Sequence, residues 1–494
     1  MNTSTVERNL KTTLGVNVAG YLTAESGVGT AARGYIRALQ QAGIPVALNN
    51  IEAGVASRKQ DYTFAAAFAE NNPFPINLIC VNADQLPNFV ETMGASYFEG
   101  KYNIGVWWWE LPDFPSEYWE SFRWLNEIWV GSWFIQHSIG QSSPIPVVRI
   151  PPTVTSPTSP LSCRADLGLP SEEFLFLFMF DFLSVYERKN PLAAIRAFKK
   201  CFKHEEPVRL ILKCINSQNA PERVQEMQKE IGNAKITLMD QYLSSSDTTA
   251  IIAACDSYVS LHRSEGLGLP LVEAMLQRKP VIATGWSGNS DFMTAQNSYP
   301  LPYKLVLNHD DAPPYRAGEQ WAEADIDAAV RAMRDVYSNR DDAALKAAQA
   351  AVDASAIFSE ETIASLMRDR LLVSQTFSPI LLQHSTNSGS TSGSYSVSPL
   401  VEQQLSIISS GKDPSDSSAQ KTIIRKLLMS IVERAGYLGS IYSQLLRRLF
   451  VEASELRREI NLVDNRTRRQ MVDTDARIRA LEEEINRLQQ AQNR

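Results

Sequence analysis

No stretch of this 494-residue chain is apolar for long enough to cross a bilayer. The nearest approach, Phe174 to Phe182, is short and carries Asp181. Cysteine is scarce and scattered: the five residues Cys80, Cys163, Cys201, Cys214 and Cys255 include no C-x-x-C pair. An odd, dispersed set of this kind suits reduced thiols in the cytoplasm rather than a disulfide framework. Positive charge is also in deficit. With 48 Lys and Arg against 55 Asp and Glu, the formal charge is −7, which argues against a dedicated nucleic-acid binder. The lead-in at residues 1–13 has no apolar core, so a secretory signal is not expected.

What is present is an apolar content of 44%, enough for sizeable cores, in a chain long enough for two or three domains. The richest stretch is Val259 to Phe292, VSLHRSEGLGLPLVEAMLQRKPVIATGWSGNSDF. An apolar run ends in a loop with Ser264, Glu265, Gly266, Leu267 and Gly268. A helix opens near Pro270 and carries Glu273, and a second apolar run, Pro280 to Thr284, ends in Gly285 and Gly288. Proline suits a first helical turn, glycines let backbone approach a ligand, and the helix start offers unbonded amides and a positive dipole end. Glu265 at the mouth and Glu273 a turn into the helix suit a ligand with hydroxyls at both ends and phosphate between.

This E-x7-E pattern with G-L-G-L-P inside it, followed by EAM and P-V-I-A-T-x-x-S-G, resembles the donor-binding signature of retaining nucleotide-sugar glycosyltransferases of group 1, family 4 and its relatives. The resemblance runs from about Leu14 to Leu372. It implies an α/β protein of the GT-B fold, two Rossmann-like domains facing a cleft, here with a C-terminal helical and coiled-coil tail. It also implies a sugar moved from a nucleoside diphosphate to an acceptor hydroxyl with retained configuration, needing no enzyme nucleophile, no cofactor and no metal. Glu265 is then expected on the sugar hydroxyls and Glu273 on the ribose.

Taken in order, strand composition at Leu14 to Leu22 leads through the loop TAESGVGT into a helix expected from Ala31 to Ala42, then an apolar segment at Pro45 to Leu48. Gly27-Val28-Gly29 with Ala32, and Glu52 downstream, also fit a loose G-x-G-x-x-A dinucleotide fingerprint. Four residues, Thr23 to Ser26, intervene after the strand, so the loop resembles instead the family's glycine loop that reaches the donor diphosphate. Strand runs follow at Ile76 to Asn82, Asn103 to Trp109 and Glu127 to Ser132. Seven of nine tryptophans lie between Trp107 and Trp133; most are expected in the core, though flat apolar faces also suit sugar rings and lipid-like acceptors. Where many relatives place a histidine facing the acceptor, this chain has Glu110, a candidate proton acceptor or hydrogen-bonding group. His137 is expected on a helix surface.

The first domain is placed at 14–155 and the donor domain at 156–375, after the connector Thr153 to Pro160. Its first strand, Phe174 to Phe180, precedes DFLSVYERKNP and a helix from Leu192 to Cys201. Lys189 matches the family's basic residue, suited to neutralising the departing diphosphate. Ser184 stands where many relatives carry an arginine, and Arg188 is the substitute candidate. Strands at Val208 to Lys213 and Ile236 to Met239 follow, then a helix from Leu243 to Ala254. Tyr242, after the second of these strands, is a candidate for stacking on the nucleotide base. Trp321 to Tyr337, Ala343 to Ala356 and Glu360 to Leu372 are read as helices, the last crossing back to the first domain. The D-x-D strings Asp325/Asp327 and Asp473/Asp475 read as surface charge.

A serine- and glycine-rich linker is expected over 376–420. The tail at 421–494 opens with Lys421 to Phe450, which holds six Lys or Arg against one Glu. That composition suits an interfacial membrane helix or a partner-docking one. Met471, Ile478, Leu481, Ile485 and Leu488 follow coiled-coil spacing, which would allow a homo-oligomer. The expected partners are a nucleoside-diphosphate sugar and a glycan or lipid-linked acceptor, in polysaccharide, lipopolysaccharide or glycolipid synthesis. The expected place is the cytoplasm, or peripherally the inner membrane face. Rival readings are a nucleotide-sugar epimerase, a nicotinamide-dependent dehydrogenase resting on Gly27-Val28-Gly29, and a non-catalytic scaffold of the same fold.

Overall fold

The computed structural model describes residues 14–155, 162–309 and 311–385. The first lobe is a six-stranded parallel sheet in the order β2-β1-β3-β4-β5-β6. Its strands are β1 (Val16–Gly20), β2 (Val46–Asn50), β3 (Ile76–Cys80), β4 (Tyr102–Val106), β5 (Glu127–Val130) and β6 (Val147–Arg149). The second lobe repeats the plan in the order β12-β11-β10-β7-β8-β9. These are β7 (Phe174–Asp181), β8 (Val208–Ile215), β9 (Ile236–Asp240), β10 (Ser257–Ser260), β11 (Val281–Thr284) and β12 (Tyr299–Leu301). Both lobes belong to one compact unit.

Strand β7 shows why a parallel sheet results. Phe174, Phe176, Phe178 and Phe180 enter one core, while Leu175 and Leu177, with Met179 at its edge, enter the core on the opposite face. A strand apolar on both faces must be covered on both, which crossover helices do. The helix Glu360–Ser385 returns to the first lobe, where Ile363, Met367 and Leu371 are buried with the core of β1, β3 and β4. Arg370 on the same helix pairs with the buried carboxylate of Glu127. This helix continues through residues 376–385, so the linker expected from 376 does not begin there. The rest of that linker, the tail with its basic helix and coiled coil, Asp473/Asp475, residues 1–13 and most of the 153–160 connector lie outside the described residues.

The helix expected over Trp321 to Tyr337 divides in two. Trp321 lies on β14 (Gln320–Ala324), which pairs antiparallel with β13 (Tyr303–Leu307), and the helix runs Ile326–Ser338. Asp325 caps that helix by accepting from the Ala328 amide, while Asp327 pairs with exposed Lys200, so this D-x-D string is a helix start. The β13–β14 hairpin reaches into the first lobe: Tyr315 and Trp321 are buried with Trp109 and Leu111.

Candidate active site

The C-terminal ends of both sheets face a cleft of about 1110 Å³, a little larger than small-molecule sites usually are. On the second lobe, β7 ends in a short turn and the one-turn helix Tyr186–Lys189. Asn190 then adopts a left-handed conformation (φ 53°), which asparagine tolerates, and Pro191 opens the next helix. This turn carries Arg188 and Lys189 beneath the loop after β10, where Glu265 sits. Glu265 takes Lys189 Nζ at 2.5 Å on Oε1 and Arg188 Nη1 at 3.3 Å on Oε2. Burial pushes the Glu265 carboxyl up, but Lys189 and then Arg188 outweigh it and hold it down at about 2. Burial likewise works against the Arg188 charge, and Tyr315, Glu110 and Glu265 together reverse that. Both cations and Glu265 line the cleft.

The loop backbone explains its glycines. Gly268 has φ +89°, and Pro270 stands in the first turn of the helix Leu269–Leu276 behind it. At Gly288 an added Cβ would lie 1.9 Å from the Gly266 carbonyl, so the two loops pack backbone to backbone. Gly266, Leu267 and Gly268 all line the cleft, as does Glu273. No hydrogen bond or ion pair from the described residues reaches the Glu273 carboxylate, and burial pushes it up to about 7.

Ser264 departs from its expected donor-binding place. It is fully buried, and its hydroxyl donates to the backbone carbonyl of Glu110, tying the lobes together. Ser132 makes a second tie, donating to the Gly266 carbonyl at 2.6 Å, and Asp291 a third, taking the Trp133 amide and Arg149. Glycine loop and first lobe are therefore locked at the base of the cleft.

On the first lobe the helix starts at Gly27, four residues before the expected Ala31, because Ser26 caps it. Gly27 lines the cleft. Gly29 is not part of the cleft lining: its amide donates to Ser26 Oγ at 3.3 Å, and an added Cβ would lie 2.3 Å from the Ala24 carbonyl. Its smallness serves packing. Glu110 lines the cleft with Oε2 accepting from the Tyr315 hydroxyl at 2.7 Å. Among the tryptophans, Trp107, Trp109 and Trp129 are core, Trp108 lines the cleft, and Trp119 and Trp133 are exposed. His137 is exposed on its helix. Tyr242 lines the cleft, but the Arg58 guanidinium already covers one face of its ring at 4.3 Å, leaving one face at most for a base.

Four contributors escaped the sequence reading. Tyr315 arrives from a hairpin 205 positions from its partner Glu110. Ser287 accepts the Glu265 amide at 2.9 Å. Arg33 is buried and donates to the carbonyls of Leu22 and Ala24, fixing the loop after β1. Lys213 lies near the end of β8, a strand that is apolar apart from it and Arg209, the one signal of these four that the sequence displays. Among the described residues, no group of three or more His, Cys, Asp or Glu is placed to hold a metal ion, and no helix is long and apolar enough to cross a membrane.

Residues 163–298 match the family described as glycosyl transferases group 1. No curated protein matches the chain. Among solved structures, sucrose-phosphate synthase from Thermosynechococcus elongatus is similar at 15% identity and TM-score 0.55, over 74% of this chain and 100% of that one. A glycosyltransferase from Rickettsia africae is similar at 14% identity and TM-score 0.55, over 74% of this chain and 98% of that one. HepE from Anabaena, in complex with UDP and glucose, is similar at 15% identity and TM-score 0.51, over 73% of this chain and 100% of that one. The chain thus has the two-lobed GT-B fold, and its second lobe carries the match to the group 1 glycosyl transferases.

Proposed function

We propose that this chain is a glycosyltransferase that moves a sugar from a nucleoside-diphosphate sugar to an acceptor hydroxyl with retained configuration. The observation that carries this is Glu265 clamped between Lys189 and Arg188 at a glycine loop in an interlobe cleft. Breaking the sugar–phosphate bond leaves a diphosphate, and fixed cations beside the leaving oxygens stabilise that developing charge. Lys189 and Arg188 fill this role, with the start of the helix at Leu269 behind them. Both Glu265 oxygens are engaged by cations, which suits a carboxylate that receives sugar hydroxyls and not one that attacks carbon. Glu273, buried and with no hydrogen-bond or ion-pair partner among the described residues, suits the two ribose hydroxyls. Glu110, with Oε2 fixed by Tyr315, presents its other oxygen to the acceptor hydroxyl. The similar HepE binds UDP and glucose, which supports a donor of this class.

Side-chain cations take the place of a metal in this scheme, so turnover proceeds in EDTA. The acceptor is a glycan or a lipid-linked sugar of polysaccharide, lipopolysaccharide or glycolipid synthesis, met in the cytoplasm or at the inner membrane face. Incubation of the full chain with a panel of nucleotide sugars and candidate acceptors tests this by nucleoside-diphosphate release and product anomer. Turnover of none of them would leave the scaffold reading in its place. Interconversion of the donor's sugar without transfer would favour the epimerase.

A further inference from the structure

Lys213 is the strongest feature that this scheme leaves unused. It is 7% exposed, lines the cleft, and its ammonium has no hydrogen-bond or ion-pair partner among the described residues. A buried ammonium without a partner is costly, and burial accordingly lowers its pKa. In the register of the sheet Lys213 stands opposite Met179 on β7 and Met239 on β9. It continues the apolar row of Ile211, so its stem lies on the face covered by the helices that carry Glu273 and Thr248. Leu243 and Tyr242 complete this end of the cleft.

Two properties decide what this ammonium meets. Asp181, Asp240 and Glu25 are the carboxylates whose charge acts on it. Three carboxylates around the position repel a phosphate, and the diphosphate is already served at Lys189 and Arg188, after β7. Met179 and Leu243 give this end of the cleft an apolar wall, which suits a flat ring. An ammonium offers three donors and no acceptor. It therefore pairs with a ring carbonyl and has nothing to offer an exocyclic amino group in that place.

We propose that Lys213 reads the nucleobase of the donor, selecting an oxo-bearing base (uracil or guanine) over adenine. This rests on the nucleotide-sugar reading of the cleft. The ring lies against Met179 and Leu243 with a carbonyl oxygen on Nζ, and the ribose lies at Glu273.

The test measures binding of UDP, GDP and ADP to the full chain by calorimetry, for the wild type and Lys213→Met, whose side chain suits the apolar row. The Tm of the free proteins checks folding, and the variant is expected to be at least as stable as the wild type. The wild type is expected to bind UDP or GDP at least ten-fold more tightly than ADP. Lys213→Met is expected to lose about ten-fold or more on that nucleotide and less than two-fold on ADP, in line with a charged hydrogen bond. An equal loss on all three would mean that the ammonium serves the phosphates and would overturn the proposal. So would a preference that survives the substitution. Binding of none of the three by the wild type would remove the nucleotide reading itself, and this proposal with it.

Discussion

Replacing Glu265 by Gln keeps the shape of the side chain and removes the charge between Lys189 and Arg188. Both cations are nearly enclosed, Arg188 with 6% and Lys189 with 14% of the side chain exposed. Taking one partner from a buried ion pair typically costs about 3–5 kcal/mol, because the charge left behind is no longer compensated. At roughly 2.1 cal/mol/K of unfolding entropy per residue over about 370 residues, each kcal/mol moves Tm by roughly 1.3 °C. The expected loss at neutral pH is therefore roughly 4–7 °C in Tm, read by differential scanning calorimetry. Adding Lys189→Met removes the stranded ammonium and should restore at least half of that loss, since deleting both members of a pair is far milder than deleting one. The pH dependence supplies a second check. A carboxyl drawn down to about 2 contributes stability that is full above its ordinary value of 4.5 and is lost as the pH falls towards 2. The gap between wild type and Glu265→Gln should narrow over that window. A single variant within 1 °C of wild type at neutral pH, or a double variant less stable than the single, would refute the clamp.

Three further outcomes are expected. Burial holds Glu273 near 7, so its ionised form costs stability: the ligand-free wild type should lose stability as pH rises from 4.5 to 7, a component missing from Glu273→Gln in thermal melts across that range. Tyr315→Phe removes the hydroxyl from Glu110 Oε2 and should lower kcat by about ten-fold or more while leaving the donor KM unchanged, as steady-state rates with varied donor will show. Lys189→Met should abolish most turnover with the fold retained by circular dichroism, and full activity would remove Lys189 from the mechanism.

The parts of this molecule that could be read from sequence are those whose physics is local. Alternating phenylalanine and leucine over Phe174–Asp181 announces a strand buried on both faces. Glycines at 266, 268 and 288 mark backbone that must turn or touch, and the acids beside them mark a ligand. Lys189-Asn190-Pro191 combines a charge, a left-handed residue and a helix start within three positions. What escaped depends on neighbours distant in the chain. The helix start at Gly27 turned on Ser26 as its cap, a residue assigned instead to an open loop, and Gly29 proved small because the Ala24 carbonyl lies against it. Trp321 was assigned to a helix because helical spacing continues behind it, and only pairing with β13 makes it a strand residue.

Ser264 shows the limit most clearly, because within the motif it is indistinguishable from a ligand-binding serine. Its hydroxyl could face the cleft or the opposite lobe, and the choice is made by Glu110, 154 positions away. The same holds for Glu110 itself, whose side chain is fixed by a tyrosine from the second lobe's hairpin. A cleft between two lobes thus has two kinds of wall. The wall on the second lobe is built from the turns after β7 and β10, each of them a short run of consecutive residues. The wall on the first lobe is assembled from Trp108, Glu110 and the distant Tyr315, so side chains there can change singly without disturbing the motif around Glu265. That asymmetry makes the second-lobe wall far easier to read from sequence than the wall shared by the first lobe and the β13–β14 hairpin.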